Sequence, residues 1–231
     1  MRRLLHYPLC PHSRSIRLAM SELQLDFELA HEEPWTWQPS FLSLNPSGAL
    51  PVLEMERAVV LCGAYAISEY LADIYATHPT SGDPSALFPG DSEQRAEVRR
   101  LVDWFHCKMD QEVTRELLME KHYQRAVGKV GRPPDSTILR AVAKNMRYHL
   151  EYISFLVDHR NWLAGDDLSF ADLAAGGHVS VADYMGEVPW EDFKSARDWY
   201  ARLKSRGSFQ PLLDDYLSKQ PPASHYADLD F

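Results

Sequence analysis

The chain has 231 residues, of which 45% are hydrophobic, and it carries a formal net charge of −9. This length can bury one core or two small ones, whereas the acidic balance argues against binding to nucleic acid or to anionic lipid. A run of about 18 apolar residues is absent, so we expect no membrane-spanning helix. The start of the chain lacks the apolar stretch of a signal peptide, and three cysteines cannot form a disulfide framework, so we expect a cytoplasmic protein.

The first third of the sequence alternates between strand and helix patterns. Short apolar segments bounded by turn residues predict strands, and apolar residues three or four positions apart predict helices. In chain order, the patterns predict a strand at 2–7, a helix at 13–25, a strand at 27–31, a proline-flanked loop, a turn and strand within 45–55, a strand at 58–61 and a helix at 64–76. A βαβ unit followed by ββα assigns residues 1–77 to an α/β domain.

The pattern changes after the segment 78–90, which contains three prolines and two glycines and is predicted to be a linker. Beyond it, apolar residues recur every three or four positions in two long stretches separated at 128–135. Shorter helical patterns follow at about 170–185, 192–206 and 209–219. We therefore expect an all-helical domain at 91–220 and a C-terminal tail at 221–231.

Cys10 lies in the segment CPHSR, between the first predicted strand and the first predicted helix. A thiol at a helix N-terminus sits at the positive end of the helix dipole, which favours an anionic sulfur. Cys10 is therefore a candidate nucleophile, and the hydroxyl of Ser13 is a second candidate. Both side chains are equally suited to capping the helix, so the sequence leaves the two interpretations open.

An α/β domain, a proline-rich linker and a helical domain in this order resemble the glutathione S-transferases, with a thioredoxin-like N-terminal domain and an all-α C-terminal domain. Four local matches carry the resemblance besides the layout: the CPHSR segment, the segment Tyr65-Ala66-Ile67 of the second predicted helix, and the two motifs that follow. The segment SGALPVL places Pro51 before the third strand, and the family has a cis proline there, preceded by a residue (here Leu50) whose backbone pairs with glutathione. Ser169 and Asp172 form an expected capping box of the C-terminal domain.

The segment LCGAYAISEYL departs from the family pattern. Glutathione-binding members begin this helix with Glu or Gln followed by Ser, and these two side chains hold the γ-glutamyl end of the tripeptide. Here the two positions are Gly63 and Ala64. Two lost bonds of about 1.5–3 kcal/mol each correspond to about three orders of magnitude in affinity. We expect a degenerate glutathione site at Leu50, Pro51, Gly63 and Ala64, with an anchor elsewhere as the alternative.

Two segments are candidates for contact with a partner protein. Trp35 and Trp37 lie in the proline-flanked loop, and aromatic side chains on loops are common anchors at interfaces. The tail carries Asp228, Asp230 and Phe231, an acidic and aromatic ending. The alternatives are that the tryptophans pack onto the domain surface and that the tail is disordered.

Within the family, the chain resembles division-associated members from alphaproteobacteria. The start MRRLLHYPLCPHSRSIRLA, the Gly-Ala pair, the WTW loop and the ending DLDF carry this resemblance. It implies a non-catalytic homodimer without a cofactor that binds filaments of the tubulin-like FtsZ and regulates constriction, in the cytoplasm at the division site. The alternative is a glutathione-dependent transferase or thiol reductase that uses Cys10 or Ser13. The histidines lack metal-ligand spacing, so we expect no metal site.

Overall fold

The computed structural model describes residues 2–75, 87–128 and 133–229. Residues 78–86 of the predicted linker therefore lie outside the described residues. The tail residues Asp230 and Phe231 lie outside them as well. The N-terminal domain contains β1 (Arg2–His6), α1 (Pro11–Glu22), β2 (Phe27–His31), α2 (Pro39–Leu44), β3 (Val52–Glu54), β4 (Val60–Cys62) and α3 (Ala64–Tyr75).

The four strands form one mixed sheet in the order β2-β1-β3-β4. Strand β1 pairs in parallel with β2, where Leu4 lies opposite Leu29, and antiparallel with β3, where Leu4 lies opposite Leu53. Leu4 and Leu53 are fully buried, so the centre of the sheet belongs to the core. The Leu50–Pro51 peptide bond before β3 is cis, as the family resemblance implies.

The described part of the C-terminal domain is helical. Helix α4 (Ser92–Asp103) continues through a π-helical segment (Trp104–Thr114), α5 (Arg115–Leu118), a second π-helical segment (Met119–Tyr123) and α6 (Gln124–Ala126). Four further helices follow, and their bounds are α7 (Ser136–Val157), α8 (Phe170–Tyr184), α9 (Lys194–Lys204) and α10 (Gln210–Leu213). None of the helices in the described ranges is long and apolar enough to span a bilayer.

The π-helical turns of the first long helix match the spacing of its buried apolar residues. Its fully buried apolar residues recur every four positions, at Leu101, Phe105, Met109, Val113 and Leu117. In a regular α-helix a repeat of four drifts around the axis by about 40° each time. The π-helical turns contain more residues, so they keep this row of side chains on one face. The row therefore stays in the core along the whole run.

Helix α1 is held between the sheet and helix α8, where the two domains meet. A Cβ atom at Gly177 of α8 would lie 2.6 Å from the carbonyl oxygen of Pro11 and 3.1 Å from the amide nitrogen of Ser15. The glycine therefore permits a backbone approach that a side chain would block. This close contact brings the start of α1, with Cys10 just before it, against the helical domain.

The predicted fold class, α/β plus all-α, is confirmed. The structure adds α2 inside the predicted loop, because Pro39 at the first helical position needs no amide donor and starts a helix there. The final helix ends at Leu213, earlier than the predicted 219. The predicted capping box is present, since the Asp172 carboxylate accepts from the Ser169 amide at 3.1 Å. The domain bounds and the tail remain predictions.

Candidate functional site

Helix α3 begins without a polar side chain. Gly63 adopts a φ of +88°, a conformation that favours glycine, and no atom lies within 4 Å of where its Cβ would be. Ala64 follows it and is buried. This helix start borders a cavity of about 520 Å³, and Cys62, Asp103 and Cys107 line the same cavity. The cavity is open at the place where the family carries its acid and hydroxyl, and Gly63 and Ala64 offer neither group.

Cys10 and Ser13 occupy the start of α1. Cys10 is the residue before the helix, and its sulfur accepts from the Ser13 amide at 3.4 Å. The same sulfur lies 4.0 Å from the carbonyl oxygen of Leu50, next to cis-Pro51. Ser13 itself is fully buried, and its hydroxyl has no hydrogen-bond partner among the described residues. Cys10 is accessible to a small reactant, whereas Ser13 is not.

Tyr7 and His122 form a buried pair across the domain boundary that the sequence did not reveal. The Tyr7 hydroxyl lies 2.6 Å from His122 Nε2. Burial, with a smaller effect from the nearby Arg125 cation, lowers the pKa of His122 to about 4. Burial also raises the pKa of Tyr7 above its ordinary range. The hydroxyl therefore donates to a neutral imidazole, and Tyr7 is committed to this contact rather than to a substrate thiolate.

The two tryptophans of the predicted partner loop have different environments. Trp35 is partly buried, with its ring centroid 4.8 Å from that of Tyr7 and 5.3 Å from that of Tyr123. Trp37 is 62% exposed. Its backbone has a φ of +52°, and its ring lies over Gly48, where an added Cβ would come within 3.0 Å of it. Trp35 thus anchors the loop, and Trp37 presents its ring to solvent.

A mostly apolar groove of about 560 Å³ runs between this loop and the end of the first long helix. Its lining consists of loop residues and helix residues, namely Pro34, Trp35, Trp37, Gly48, Met119, Tyr123, Gln124 and Val127. Met119 is 46% exposed, so both walls of the groove present apolar surface to solvent. A second cavity of about 210 Å³ lies beside His122 and Arg125 and reaches Lys219. Asp228 lines neither cavity.

The described part of the predicted tail packs against the protein. Tyr226 is fully buried, and its hydroxyl accepts from Arg14 Nη1 at 2.8 Å. Lys204 Nζ donates to the backbone carbonyl oxygen of Asp228 at 2.7 Å, whereas the Asp228 side chain belongs to an exposed residue. The segment therefore holds Asp228 at a fixed place on the surface. The structure does not bring Asp228 together with Trp35 or Trp37 in one cavity.

The cavity at the start of α3 also reaches two histidines, His12 and His106. A third histidine, His178, contacts them and is fully buried. Burial, reinforced by the neighbouring His12, holds the pKa values of His106 and His178 well below the ordinary range. Both rings are therefore neutral. No local pattern points to this cluster, because its members lie far apart along the chain and only the fold brings them together.

Comparison with known proteins places the chain in a family. The family model of the glutathione S-transferase N-terminal domain matches residues 4–79. Over 233 aligned residues, the chain is 44% identical to FtsZ-localized protein A of Caulobacter vibrioides (strain NA1000 / CB15N), covering all of this chain and 98% of the relative.

Two solved structures show the same likeness over full length. A glutathione S-transferase from Rhodospirillum rubrum F11 is 46% identical, with a TM-score of 0.94 and complete coverage of both chains. The structure of FzlA from C. crescentus is 43% identical, with a TM-score of 0.92, and the match covers all of this chain and 99% of that one. The resemblance predicted from the domain layout and the motifs is thus confirmed, and the chain belongs to the glutathione S-transferase family.

Proposed function

We propose that this chain is a non-catalytic, homodimeric member of its family that binds FtsZ polymers at the division site and regulates constriction. The chain is 44% identical over its whole length to a protein named FtsZ-localized protein A, which supports the choice of partner. The observation that carries a binding role is Trp37, a tryptophan that is 62% exposed at the edge of an apolar groove. A large exposed aromatic ring beside such a groove is typical of a protein interface.

The groove suits binding because its exposed ring is already in place. The left-handed backbone of Trp37 and the contact of its ring with Gly48 restrict the ring before any partner arrives. A side chain that is ordered in advance loses less conformational entropy on binding. Covering Trp37 and Met119 with a partner removes apolar surface from water. Trp35 supports the loop from beneath, so its contribution is positioning.

The tail supplies a second, polar contact in this proposal. Asp228 is exposed, and the bond from Lys204 to its backbone fixes where the carboxylate stands. A fixed exposed carboxylate favours a basic partner surface and adds orientation rather than much affinity. Asp230 and Phe231 extend this contact in the proposal, although they lie outside the described residues.

The start of α3 supports the non-catalytic part of the proposal. Gly63 and Ala64 leave the γ-glutamyl end of glutathione without a side-chain partner. Ser13 is buried, and Tyr7 is engaged with His122. The three candidate groups here are the hydroxyls of Ser13 and Tyr7 and the thiol of Cys10. Of these three, the Cys10 thiol alone is accessible to a reactant.

A homodimer would present two copies of the groove to a polymer that repeats its own surface. Paired weak contacts then gain affinity through the high effective concentration of the second site. Tyr65 and Ile74 of α3 are 55% and 42% exposed, and these apolar side chains provide surface that a second copy can cover. The mechanism is therefore cross-linking of filaments by a rigid scaffold.

Co-sedimentation with FtsZ polymers assembled in the presence of GTP tests whether the groove binds FtsZ. We expect Trp37→Ala to weaken binding by at least about tenfold, because truncating an interface hot-spot residue costs about 2 kcal/mol or more. Phe155→Ala is the matched control, since Phe155 is 59% exposed but lies on α7 and does not line the groove. Asp228→Lys tests the tail separately. Equal pelleting of Trp37→Ala and Phe155→Ala would contradict the assignment of the groove.

A second candidate function, thiol chemistry at Cys10, is favoured by one observation. Cys10 stands at the start of α1 and its sulfur accepts a hydrogen bond from the Ser13 amide at 3.4 Å, a position typical of reactive thiols. Alkylation by iodoacetamide, followed by mass spectrometry, compares Cys10 with the exposed Cys107 in the same molecule. Faster modification of Cys10 would support the enzyme alternative, whereas slower modification would count against it.

A further inference from the structure

Three histidines from three separate helical segments converge beside the cavity at the start of α3. His12 lies in α1, His106 in the π-helical segment after α4, and His178 in α8. One ring nitrogen of each residue lies within 4.8 Å of the other two. His178 is fully buried and the other two histidines are partly buried, so the surrounding hydrogen bonds decide where the ring protons lie.

The proton position on His106 follows from Ser15. The Ser15 hydroxyl donates its single proton to the carbonyl oxygen of His12 at 2.8 Å. The same hydroxyl oxygen lies 3.3 Å from His106 Nε2 and can there only accept. His106 therefore carries its proton on Nε2, and its Nδ1 has a free lone pair.

The proton position on His178 follows from Thr114 and Asp110. The Thr114 hydroxyl lies 3.2 Å from Asp110 Oδ1 and 2.7 Å from His178 Nδ1. The 2.7 Å contact is the shorter of the two, so the hydroxyl donates to His178 Nδ1. His178 Nε2 then carries the ring proton. When an ion binds His178 Nε2, the hydroxyl can turn to donate to Asp110 and accept from Nδ1, which gives a carboxylate–hydroxyl–imidazole chain like the outer shell that orients histidine ligands in metal sites.

One proton joins the two rings at short range. His106 Nδ1 and His178 Nε2 are 3.0 Å apart, and the Nε2–H of His178 donates to the lone pair of His106 Nδ1. Two nitrogens bound at about 2.0–2.1 Å to a tetrahedral ion would be about 3.3 Å apart. An ion that displaces this proton therefore needs only a small separation of the two rings.

We propose that His12, His106 and His178 bind a divalent first-row transition-metal ion, of which Zn²⁺ is the representative. Imidazole nitrogens suit zinc, copper and nickel, whereas magnesium and calcium require oxygen ligands. His12 is the third ligand, and ring rotation brings its nitrogen within bonding distance of the ion. Three protein ligands leave a fourth position open, which faces the cavity lined by His12 and His106.

The site is distinct from the apolar groove of the proposed partner interface, because none of its three histidines lines that groove. Cys10 stands two positions before His12 in the chain, so its thiol is the neighbouring group that an ion would influence. The carbonyl oxygen of His106 lies 3.1 Å from His12 Nε2 and holds that ring in the ion-free form. The inference therefore holds whether or not the chain binds FtsZ.

Zinc binding to the full chain tests the proposal. After treatment with a chelator, the protein is titrated with Zn²⁺ against a chromogenic competitor, and we expect one ion per chain. His106→Gln and His178→Gln should each weaken binding by more than about 100-fold, and Thr114→Val by about 10–100-fold through loss of the outer shell. His159→Gln is the matched control, because His159 is exposed and outside the cluster.

A spectrum of the wild-type chain with Co²⁺ keeps the test decisive if a variant fails to fold. We expect the intense visible bands of tetrahedral cobalt without a thiolate charge-transfer band, and the same spectrum for Cys10→Ser. An octahedral spectrum, no stoichiometric zinc binding, or equal zinc affinity in wild type and in folded His178→Gln would overturn the proposal. In those cases a shared proton, or surface histidines, would account for the observations.

Discussion

Tyr226, close to the end of the chain, is hydrogen-bonded to Arg14 in the first helix, at 2.8 Å between the hydroxyl oxygen and Nη1. Both side chains are fully buried. Arg14 also donates to Asp215 at 3.2 Å, so the end of the chain completes the environment of a buried cation. Removing the tail would therefore damage the core as well as any partner contact, and point variants at Asp228 are the better probe of binding.

Tyr226→Phe should lower the free energy of unfolding by about 1.5–3 kcal/mol, since it removes a hydrogen bond to a buried charged group. The hydroxyl also donates to the carbonyl oxygen of Leu212 at 3.0 Å, and this hydrogen bond would be lost as well. Urea denaturation measures the change. The control is Tyr216→Phe, at a tyrosine that is 66% exposed. Equal stability of the two variants would show that the tail is not held by this contact.

Ala64→Ser should strengthen glutathione binding by about tenfold or more, because it supplies one bond of about 1.5–3 kcal/mol to the charged tripeptide. The position already has helical backbone, so the change introduces no strain. Calorimetry measures the affinity. Ala66→Ser, an exposed position in the same cavity, is the control. Equal effects of the two substitutions, or tight binding by the wild type, would contradict the account of the emptied anchor.

Asp172→Ala should destabilise the helical domain by at least about 3 kcal/mol, because it leaves buried donors without an acceptor. The carboxylate accepts from the amides of Leu163 and Ser169 and from Trp199 Nε1. Asp91→Ala removes an exposed helix cap and should cost only about 1 kcal/mol. Thermal unfolding compares them, and similar losses for both variants would show that burial of the Asp172 network has no extra effect.

His122 should make the protein sensitive to acid. Its pKa is about 4 in the folded chain, against 6.5 for an ordinary histidine, so the unfolded chain binds the proton more readily. Stability is therefore lost as the pH falls from 6.5 towards about 4. His122→Gln should reduce the slope of the unfolding free energy against pH, by up to about 1.4 kcal/mol per pH unit.

Urea unfolding at several pH values across that range measures the slope. Tyr7 donates to the neutral imidazole, and protonating His122 would break this bond. His159→Gln, at an exposed histidine, is the control and should leave the slope unchanged. An identical slope for wild type and His122→Gln would mean that this histidine titrates normally in the folded protein.

Local patterns predicted the fold because strands and helices place their apolar residues at characteristic intervals along the sequence. The strand at 27–31 was predicted to the residue, and the capping box at Ser169 and Asp172 was visible from three positions of sequence. The short helix α2 was not predicted, because its single proline, Pro39, also fits a loop. Proline at a first helical position and proline in a loop look alike until the chain is folded.

Contacts between distant parts of the chain were beyond local patterns. Tyr226 lies 212 residues from Arg14, and His178 lies 72 residues from His106. Neither pair leaves a periodic or spaced signature. The departure from the family pattern at Gly63 and Ala64 is visible in the sequence because the family fixes which residue types stand there. The apolar groove beside Trp37, by contrast, required the relative placement of a loop and a helix.

Sedimentation of the wild-type chain with GTP-assembled FtsZ, without and with millimolar reduced glutathione, tests the central claim most directly. The account predicts that the chain pellets with the polymer and that glutathione leaves the pelleted fraction unchanged, because the partner surface and the emptied tripeptide site are separate. A chain that stays in the supernatant under both conditions would contradict the proposed function. Release by glutathione would show that the tripeptide site is occupied and coupled to the partner.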